Sequence, residues 1–175
     1  MKRKYPPLEI IAPLMFAAVF VIMLIYSRFE PNVEDVDTFY VMEHLGETGY
    51  VLVDARAEST YSGKSPRSGV PGGHIPGAVS FPMVNLSGRT DIVAALLAKS
   101  GITKDKTIIV YCSAGALSER FADQLVRRFN FSSSRIKNYR GSVLEWIKKP
   151  NNVLLPPDHE TDFAEDMHSQ RFKGK

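Results

Sequence analysis

The chain has 175 residues, a length that allows one domain of ordinary size with short extensions. Its single cysteine excludes an intrachain disulfide framework and a multi-cysteine zinc site. The formal net charge is +3, and acidic and basic residues alternate along most of the sequence. Because no basic stretch is interleaved with aromatic residues, the composition does not favour nucleic-acid binding.

The N-terminus has a pattern typical of a membrane anchor. Three basic residues at positions 2–4 precede residues 10–26, which include no charged side chain. A cleaved signal peptide is the alternative, but residues 25–30 read Ile-Tyr-Ser-Arg-Phe-Glu, which is not the small-residue pattern of a cleavage site. We therefore expect a basic terminus over 1–9 and an uncleaved transmembrane signal anchor over 10–28. By the positive-inside rule, the basic residues before this segment and the acidic residues after it predict a cytoplasmic N-terminus. The rest of the chain would then lie outside the cytoplasm, in the periplasm if the source is bacterial.

The elements predicted after this segment alternate between helices and strands. In chain order we first expect a helix at 36–45, a strand at 50–54, a loop at 62–77 and a short strand at 78–81. A helix at 91–99, capped by Thr90, and a strand at 107–111 follow. The last predicted elements are a helix at 117–129, a strand at 136–139 and a short helix at 143–148. The apolar strands are typical of parallel strands that are buried on both faces. The pattern predicts an α/β domain over 29–155, with a mostly parallel central sheet, and a polar, flexible tail over 156–175.

Cys112 is the most informative residue of this domain. It directly follows the predicted strand that ends at Tyr111, and it precedes a loop at 113–118 that opens a helix. In parallel sheets, ligands bind beyond the carboxyl ends of the strands. Loop amides and the positive end of a helix dipole stabilise a thiolate there, and the same amides bind anions. The alternative is that Cys112 is a small buried apolar residue.

Further motifs accompany this cysteine in a fixed order. The first motif, after the first apolar strand, is Asp54-Ala55-Arg56, and the second is Gly73-His74-Ile75-Pro76-Gly77-Ala78. The third is Cys112 with Gly115 and Ser118, and the last consists of Gly141 and Trp146. Together they resemble the rhodanese family, which has an Asp-x-Arg after its first strand, a Gly-His-Ile-Pro-Gly-Ala hallmark, a nucleophile loop and a closing Gly-Gly-Phe-x-x-Trp. Ser142 and Val143 stand where that closing motif has its second Gly and its Phe. The resemblance covers 33–155.

The resemblance implies a three-layer α/β domain in which Cys112 is the catalytic nucleophile of a sulfurtransferase. Cys112 would take a sulfane sulfur from a donor such as thiosulfate and pass it from a persulfide to cyanide, a thiol or a partner protein. We expect its thiol to be partly accessible, and we expect no cofactor and no metal ion. The implied substrate-binding residues are those of the loop: Ser113, Ala114, Gly115, Ala116, Leu117 and Ser118.

Three residues outside the loop have supporting roles by the same resemblance. Asp54 and Arg56 would form a hydrogen-bonded scaffold near the site, and His74 would hold a turn. The alternatives are a catalytic role for Asp54 and Arg56 and a general-base role for His74.

Two positions differ from relatives that use thiosulfate. Leu117 stands where many of them carry Arg or Lys, and Thr60 stands where tandem-type members often have another Arg. Either cation would pair with the sulfonate of thiosulfate, so the physiological donor stays open. Arg67 is a candidate substitute, and a solvated loop charge is the alternative.

Two other functions fit the same architecture less well. Phosphatases of the cell-cycle type and related arsenate reductases need an arginine at the sixth position after the cysteine, where this chain has Ser118. A non-enzymatic, membrane-tethered binding or sulfur-carrier module is the second alternative, and the apolar loop residues Ala114, Ala116 and Leu117 suit a carrier that receives sulfur from a protein.

Overall fold

The computed structural model describes residues 8–28, 33–64 and 69–155, and within the first of these ranges it describes the side chains of 11–23. The chain divides into two compact units, Met1–Pro31 and Asn32–Lys175. Arg67 and the predicted tail over 156–175 lie outside the described residues. The flexibility predicted for that tail therefore stays a prediction.

The described residues of the first unit form the helix α1 (Leu8–Arg28), with Pro13 in its N-terminal part. Among the residues that the structure describes, no helix is both long and apolar enough to cross a membrane. The structure therefore does not support the transmembrane anchor that the sequence predicted over 10–28.

The second unit is built on a five-stranded sheet in the order β1-β5-β4-β2-β3, and all of its strand pairs are parallel. The strands are β1 (Glu34–Val36), β2 (Tyr50–Asp54), β3 (Val79–Ser80), β4 (Thr107–Tyr111) and β5 (Ile136–Tyr139). The helices are α2 (Thr38–His44), α3 (Glu58–Tyr61), α4 (Thr90–Lys99), α5 (Ala116–Phe129) and α6 (Ser142–Trp146), with 3₁₀ turns at Met83–Ser87 and Ser133–Arg135.

Helices cover both faces of the sheet because successive strand residues point to opposite sides. Val51, Val53, Ile108 and Val110 pack with α4 and α5 on one face, whereas Leu52, Ile109 and Tyr111 pack with α2, α3 and α6 on the other. The central strands β2 and β4 consist almost entirely of buried residues. The predicted α/β architecture with a parallel sheet between helical layers is confirmed.

The strands predicted at 50–54, 107–111 and 136–139 are confirmed at those bounds. The helix predicted from Val36 is wrong at its start, because Val36 belongs to β1 and pairs with Tyr139. Asp37 caps α2 instead, since its side chain accepts a hydrogen bond from the Tyr40 amide. Thr90 lies inside α4 and does not cap it. The sequence did not predict β1 or α3, which have three and four residues.

Candidate active site

The site lies where the parallel strands end. Cys112 directly follows β4, Asp54 is the last residue of β2, and Ser142 begins α6 shortly after β5. Since parallel strands end at the same edge of the sheet, these three residues come from distant positions in the chain to one edge. The amides of Val143 and Leu144 donate hydrogen bonds to the carbonyls of Cys112 and Ser113, at 3.2 and 3.1 Å, and so tie α6 to the loop.

The loop turns tightly around the cysteine sulfur. The Gly115 amide donates a hydrogen bond to Cys112 Sγ at 3.1 Å. Gly115 has a φ of 95°, and a Cβ there would overlap the carbonyl oxygen of Arg140. Only glycine combines this left-handed conformation with so close an approach to another backbone segment. Gly115 therefore lets the loop fold over the sulfur before α5 begins.

The environment lowers the pKa of the Cys112 thiol below its ordinary value. Burial acts in the opposite direction, but backbone hydrogen bonds from Ser118, Ala114 and Gly115 and the side chain of Ser118 outweigh it. Cys112 is only 3% exposed, so the expectation of a partly accessible thiol is wrong for this conformation. The loop is arranged to stabilise negative charge on sulfur.

Ser142 contacts the cysteine, although the sequence analysis assigned it no role. Its hydroxyl accepts a hydrogen bond from the Cys112 amide at 3.1 Å, donates to the Tyr139 carbonyl at 2.8 Å and lies 3.8 Å from Cys112 Sγ. Ser142 has a φ of 52°, a conformation that favours glycine. Ser142 replaces the second glycine of the closing motif, and this replacement was the feature of the sequence that could have indicated the contact.

Ser118 closes the loop and belongs to a buried polar network. Its Oγ lies 2.9 Å from the Gly115 carbonyl oxygen and 2.7 Å from Asn138 Oδ1. The other end of the Asn138 amide donates to Asp35 Oδ1 at 2.7 Å. Neither Asn138 nor Asp35 was predicted as a site residue, because they contact each other across 103 positions of the chain.

Asp54 and Arg56 form a buried ion pair beside this edge. Arg56 is 3% exposed and Asp54 is fully buried, and Arg56 Nη2 lies 2.6 Å from Asp54 Oδ2. Arg56 also donates to the carbonyls of Gly73 and Pro71, at 2.5 and 3.3 Å. The pair thus fixes the segment that precedes the Gly-His-Ile-Pro-Gly-Ala motif, a geometry that favours the scaffold role over a catalytic one.

His74 is fully buried and its ring stacks on Tyr61, with centroids 4.0 Å apart. Its backbone exchanges two hydrogen bonds with Leu155, which tie this turn to the end of the described chain. Within that described chain, Nδ1 lies 3.3 Å from the Tyr61 carbonyl, and Nε2 has no hydrogen-bond partner. These contacts favour the role of holding a turn.

The remaining predicted site residues differ in exposure. Ala114 and Ala116 are exposed, whereas Ser113 and Leu117 are half-buried. Beside the loop, a cavity of about 630 Å³ is lined in part by Ala114, Arg140 and Leu144. Lys149, on the rim of the same cavity, lies 4.6 Å from the ring centroid of the exposed Phe39. Arg67, the candidate substitute for a missing cation, lies outside the described residues, so its role stays a prediction.

The family model of the rhodanese-like domain matches residues 39–149, a range that includes the sheet edge, the loop and α6. The chain belongs to the rhodanese-like family. A thiosulfate sulfurtransferase of Azotobacter vinelandii is 35% identical over 125 residues, which cover 66% of this chain and 43% of that protein. A sulfur carrier protein, TtuD, of Thermus thermophilus is 36% identical over 123 residues, which cover 61% of this chain and 42% of that protein. The rhodanese-like chain thus spans less than half the length of these relatives.

Solved structures agree with this assignment at the level of the fold. The anaerobic ergothioneine biosynthesis enzyme from Chlorobium limicola superposes with a TM-score of 0.55 at 23% sequence identity. The match covers 69% of this chain and 31% of that enzyme. Similarity at this level of identity supports the rhodanese-like fold and carries no information on the substrate.

Proposed function

We propose that this rhodanese-like protein is a sulfurtransferase in which Cys112 carries the transferred sulfur as a persulfide. The observation that carries the proposal is the Gly115 amide 3.1 Å from Cys112 Sγ, at the carboxyl end of β4. That contact belongs to a set of loop donors that lower the pKa of the thiol, so a larger fraction is thiolate near neutral pH. The relatives named as sulfurtransferases support the same chemistry.

The reaction follows from a thiolate held in a ring of donors. With thiosulfate, Cys112 Sγ attacks the sulfane sulfur, a new S–S bond forms, and sulfite leaves with the electron pair of the broken S–S bond. The loop amides that stabilise the thiolate also stabilise the charge of the persulfide. Cyanide then attacks the outer sulfur, thiocyanate forms, and the electron pair returns to Cys112 as the thiolate. A thiol acceptor would take the outer sulfur in the same way and become a persulfide itself.

Mass spectrometry of the intact chain after exposure to thiosulfate or a polysulfide tests the proposal. We expect one added sulfur atom, which cyanide removes as thiocyanate. Cys112→Ser is the matched control, since it changes one atom and leaves no nucleophilic sulfur at the loop. If the wild-type chain stays unmodified with every donor, the sulfurtransferase assignment is wrong.

A sulfur carrier is the second candidate, because one relative is named as a sulfur carrier protein. A carrier would accept one sulfur from a protein partner and would turn over small donors poorly, whereas an enzyme would cycle with them. Steady-state production of thiocyanate from thiosulfate and cyanide separates the two. Many turnovers per Cys112 favour the enzyme, and a single stoichiometric loading favours the carrier.

We further propose that the N-terminal segment attaches the protein to a bilayer and leaves the rhodanese-like domain outside the cytoplasm. The proposal is supported by the uncharged run over 10–26, by the basic residues before it and by the exposed apolar side chains of Leu14, Phe16 and Phe20 on α1. Protease added to intact spheroplasts should then digest the domain and spare cytoplasmic proteins. Digestion only after the membrane is opened would contradict this orientation.

A further inference from the structure

We propose that Asn138 is a positioning residue for the Cys112 site. Its side-chain carbonyl competes with the sulfur of Cys112 for the hydroxyl proton of Ser118, and Asp35 fixes the Asn138 amide in the orientation that makes this competition possible. This inference deepens the proposed function and rests on it for its bearing on sulfur transfer. It concerns the reactivity of the thiol before any donor binds.

The geometry leaves the Ser118 hydroxyl with more acceptors than it has protons. Ser118 and Asn138 are both buried, and their side-chain oxygens are 2.7 Å apart. The Gly115 carbonyl oxygen lies 2.9 Å from the same hydroxyl. The Ser118 side chain also lowers the pKa of the Cys112 thiol by hydrogen bonding, which makes the sulfur a third acceptor for this hydroxyl. A hydroxyl donates one hydrogen bond at a time. Three acceptors therefore compete for the one proton of Ser118: the carbonyls of Asn138 and Gly115, and the sulfur. Of the two carbonyl oxygens, that of Asn138 lies closer to the Ser118 hydroxyl.

Asp35 decides which end of the Asn138 amide faces Ser118. Asn138 Nδ2 donates to Asp35 Oδ1 at 2.7 Å, and the other carboxylate oxygen of Asp35 lies 3.1 Å from Arg140 Nη1. If the amide flipped, its carbonyl oxygen would face the carboxylate, and two acceptors would meet without a proton between them. The carboxylate therefore keeps Nδ2 on its own side, and Oδ1 stays directed at Ser118.

This competition sets how much the hydroxyl stabilises the thiolate. When Ser118 turns its proton to the sulfur, it gives up the bond to Asn138, so the thiolate gains only the difference between two hydrogen bonds. Without the carbonyl of Asn138, the hydroxyl is freer to donate to sulfur. The elements around this network carry further charged groups. Asp35 pairs with Arg140, Glu34 with Lys137 and Glu145 with Lys148. The charged residues of α5 are the exposed Glu119 and Arg120 near its start, Asp123 and Arg127, which pair with each other, and Arg128.

Two substitutions in the full-length reduced chain test the inference. Asn138→Leu removes the competing acceptor, and Asp35→Asn removes the anion that orients the amide and lets Nδ2 turn toward Ser118. The readout is the ultraviolet absorbance of the thiolate as a function of pH, taken as the difference from Cys112→Ser. We expect both variants to shift the midpoint down by about half a pH unit to one unit, which corresponds to roughly a three- to tenfold change in the ionisation constant.

Two controls separate this effect from others. Glu34→Gln breaks an exposed ion pair with Lys137 that joins the same two strands, and it should leave the midpoint unchanged. In a Ser118→Ala background the shifts caused by Asn138→Leu and Asp35→Asn should both vanish. Asp35 is 48% exposed, so we expect Asp35→Asn to fold. This variant tests the inference alone if Asn138→Leu does not fold.

An unchanged midpoint in Asp35→Asn, or a shift that persists without the Ser118 hydroxyl, would overturn the inference. The second outcome would show that the loss of a negative charge acts through space and not through Ser118. The measurement needs no sulfur donor. A Cys112 that never forms a persulfide would therefore refute the sulfurtransferase proposal and leave this result standing.

Discussion

The backbone conformation of Ser142 is unfavourable, and the hydrogen bonds of its hydroxyl offset that cost in free energy. Its φ of 52° is unfavourable for a residue with a Cβ, while its hydroxyl is the partner of the buried Cys112 amide. Ser142→Ala keeps the strained conformation and loses the hydrogen bonds, so we expect it to lower the free energy of unfolding by about 1–3 kcal/mol. Ser142→Gly loses the same bonds but relieves the strain, so it should be about 1 kcal/mol more stable than Ser142→Ala. Urea denaturation of the three proteins gives the order, and equal stability of the two variants would show that the backbone at Ser142 is unstrained.

Leu117 places an uncharged side chain at the loop position where many thiosulfate-using relatives carry a cation. It is half-buried, next to the exposed Ala116. Leu117→Arg adds a guanidinium that can pair with the sulfonate of thiosulfate, and a charge-assisted hydrogen bond contributes roughly 1.5–3 kcal/mol. We therefore expect kcat/KM for thiosulfate to rise about ten- to hundredfold. Leu117→Gln is the control for a longer polar side chain without charge. A loop built for another donor would show no gain with either variant.

The turn that follows β2 depends on one buried charge pair. Asp54 and Arg56 are both inaccessible to solvent, and Arg56 holds the Gly73 carbonyl as well as the carboxylate. Arg56→Met leaves Asp54 without its counter-charge, a loss that costs about 3–5 kcal/mol in buried pairs. Arg89→Met removes an ion pair whose members are 77% and 64% exposed, and such pairs contribute about 0–1 kcal/mol. Arg56→Met should therefore lower the free energy of unfolding several-fold more than Arg89→Met does, as measured by urea denaturation. Similar losses in the two variants would mean that solvent reaches Asp54 when Arg56 is gone.

The elements that the sequence predicted well are those with a strong local pattern. β2 and β4 each carry a central apolar run because both faces of the sheet are covered, and that property is visible in the sequence. β1 escaped prediction because it has three residues and its first two are exposed acids, which carry no strand signal. Its position at the edge of the sheet is fixed by pairing with β5, a contact between distant parts of the chain.

The site was predictable only where a linear motif encodes it. Cys112, Gly115 and Ser118 lie close together in the chain, so their roles follow from their order. The contacts of Ser142 with Cys112 and of Asn138 with Asp35 arise when strands become neighbours in the sheet, across 30 and 103 positions. Such contacts depend on register, which the composition of each strand does not reveal.

The described hydrophobic core of the protein belongs to the rhodanese-like unit. Both of its hydrophobic clusters, one on each face of the sheet, draw their residues from the second unit, beginning at Val33. The sheet likewise begins with β1 and uses no residue of the first unit. The described residues that build the sheet and both clusters thus all belong to the second unit, and we expect this unit to fold without residues 1–31.

We accordingly expect a fragment of residues 32–175 to fold cooperatively and to accept sulfur on Cys112 as the full chain does. Its midpoint in urea should match that of the domain in the full-length protein, because the described residues of both clusters lie within the fragment. The full chain should sediment with phospholipid vesicles, whereas the fragment should remain in the supernatant, since the apolar side chains of α1 are absent from it. Circular dichroism, mass spectrometry of the sulfur adduct and vesicle sedimentation measure the three properties on the same preparations. An unfolded fragment would contradict the independence of the domain, and a full chain that ignores vesicles would contradict membrane attachment while leaving the sulfur chemistry of Cys112 intact.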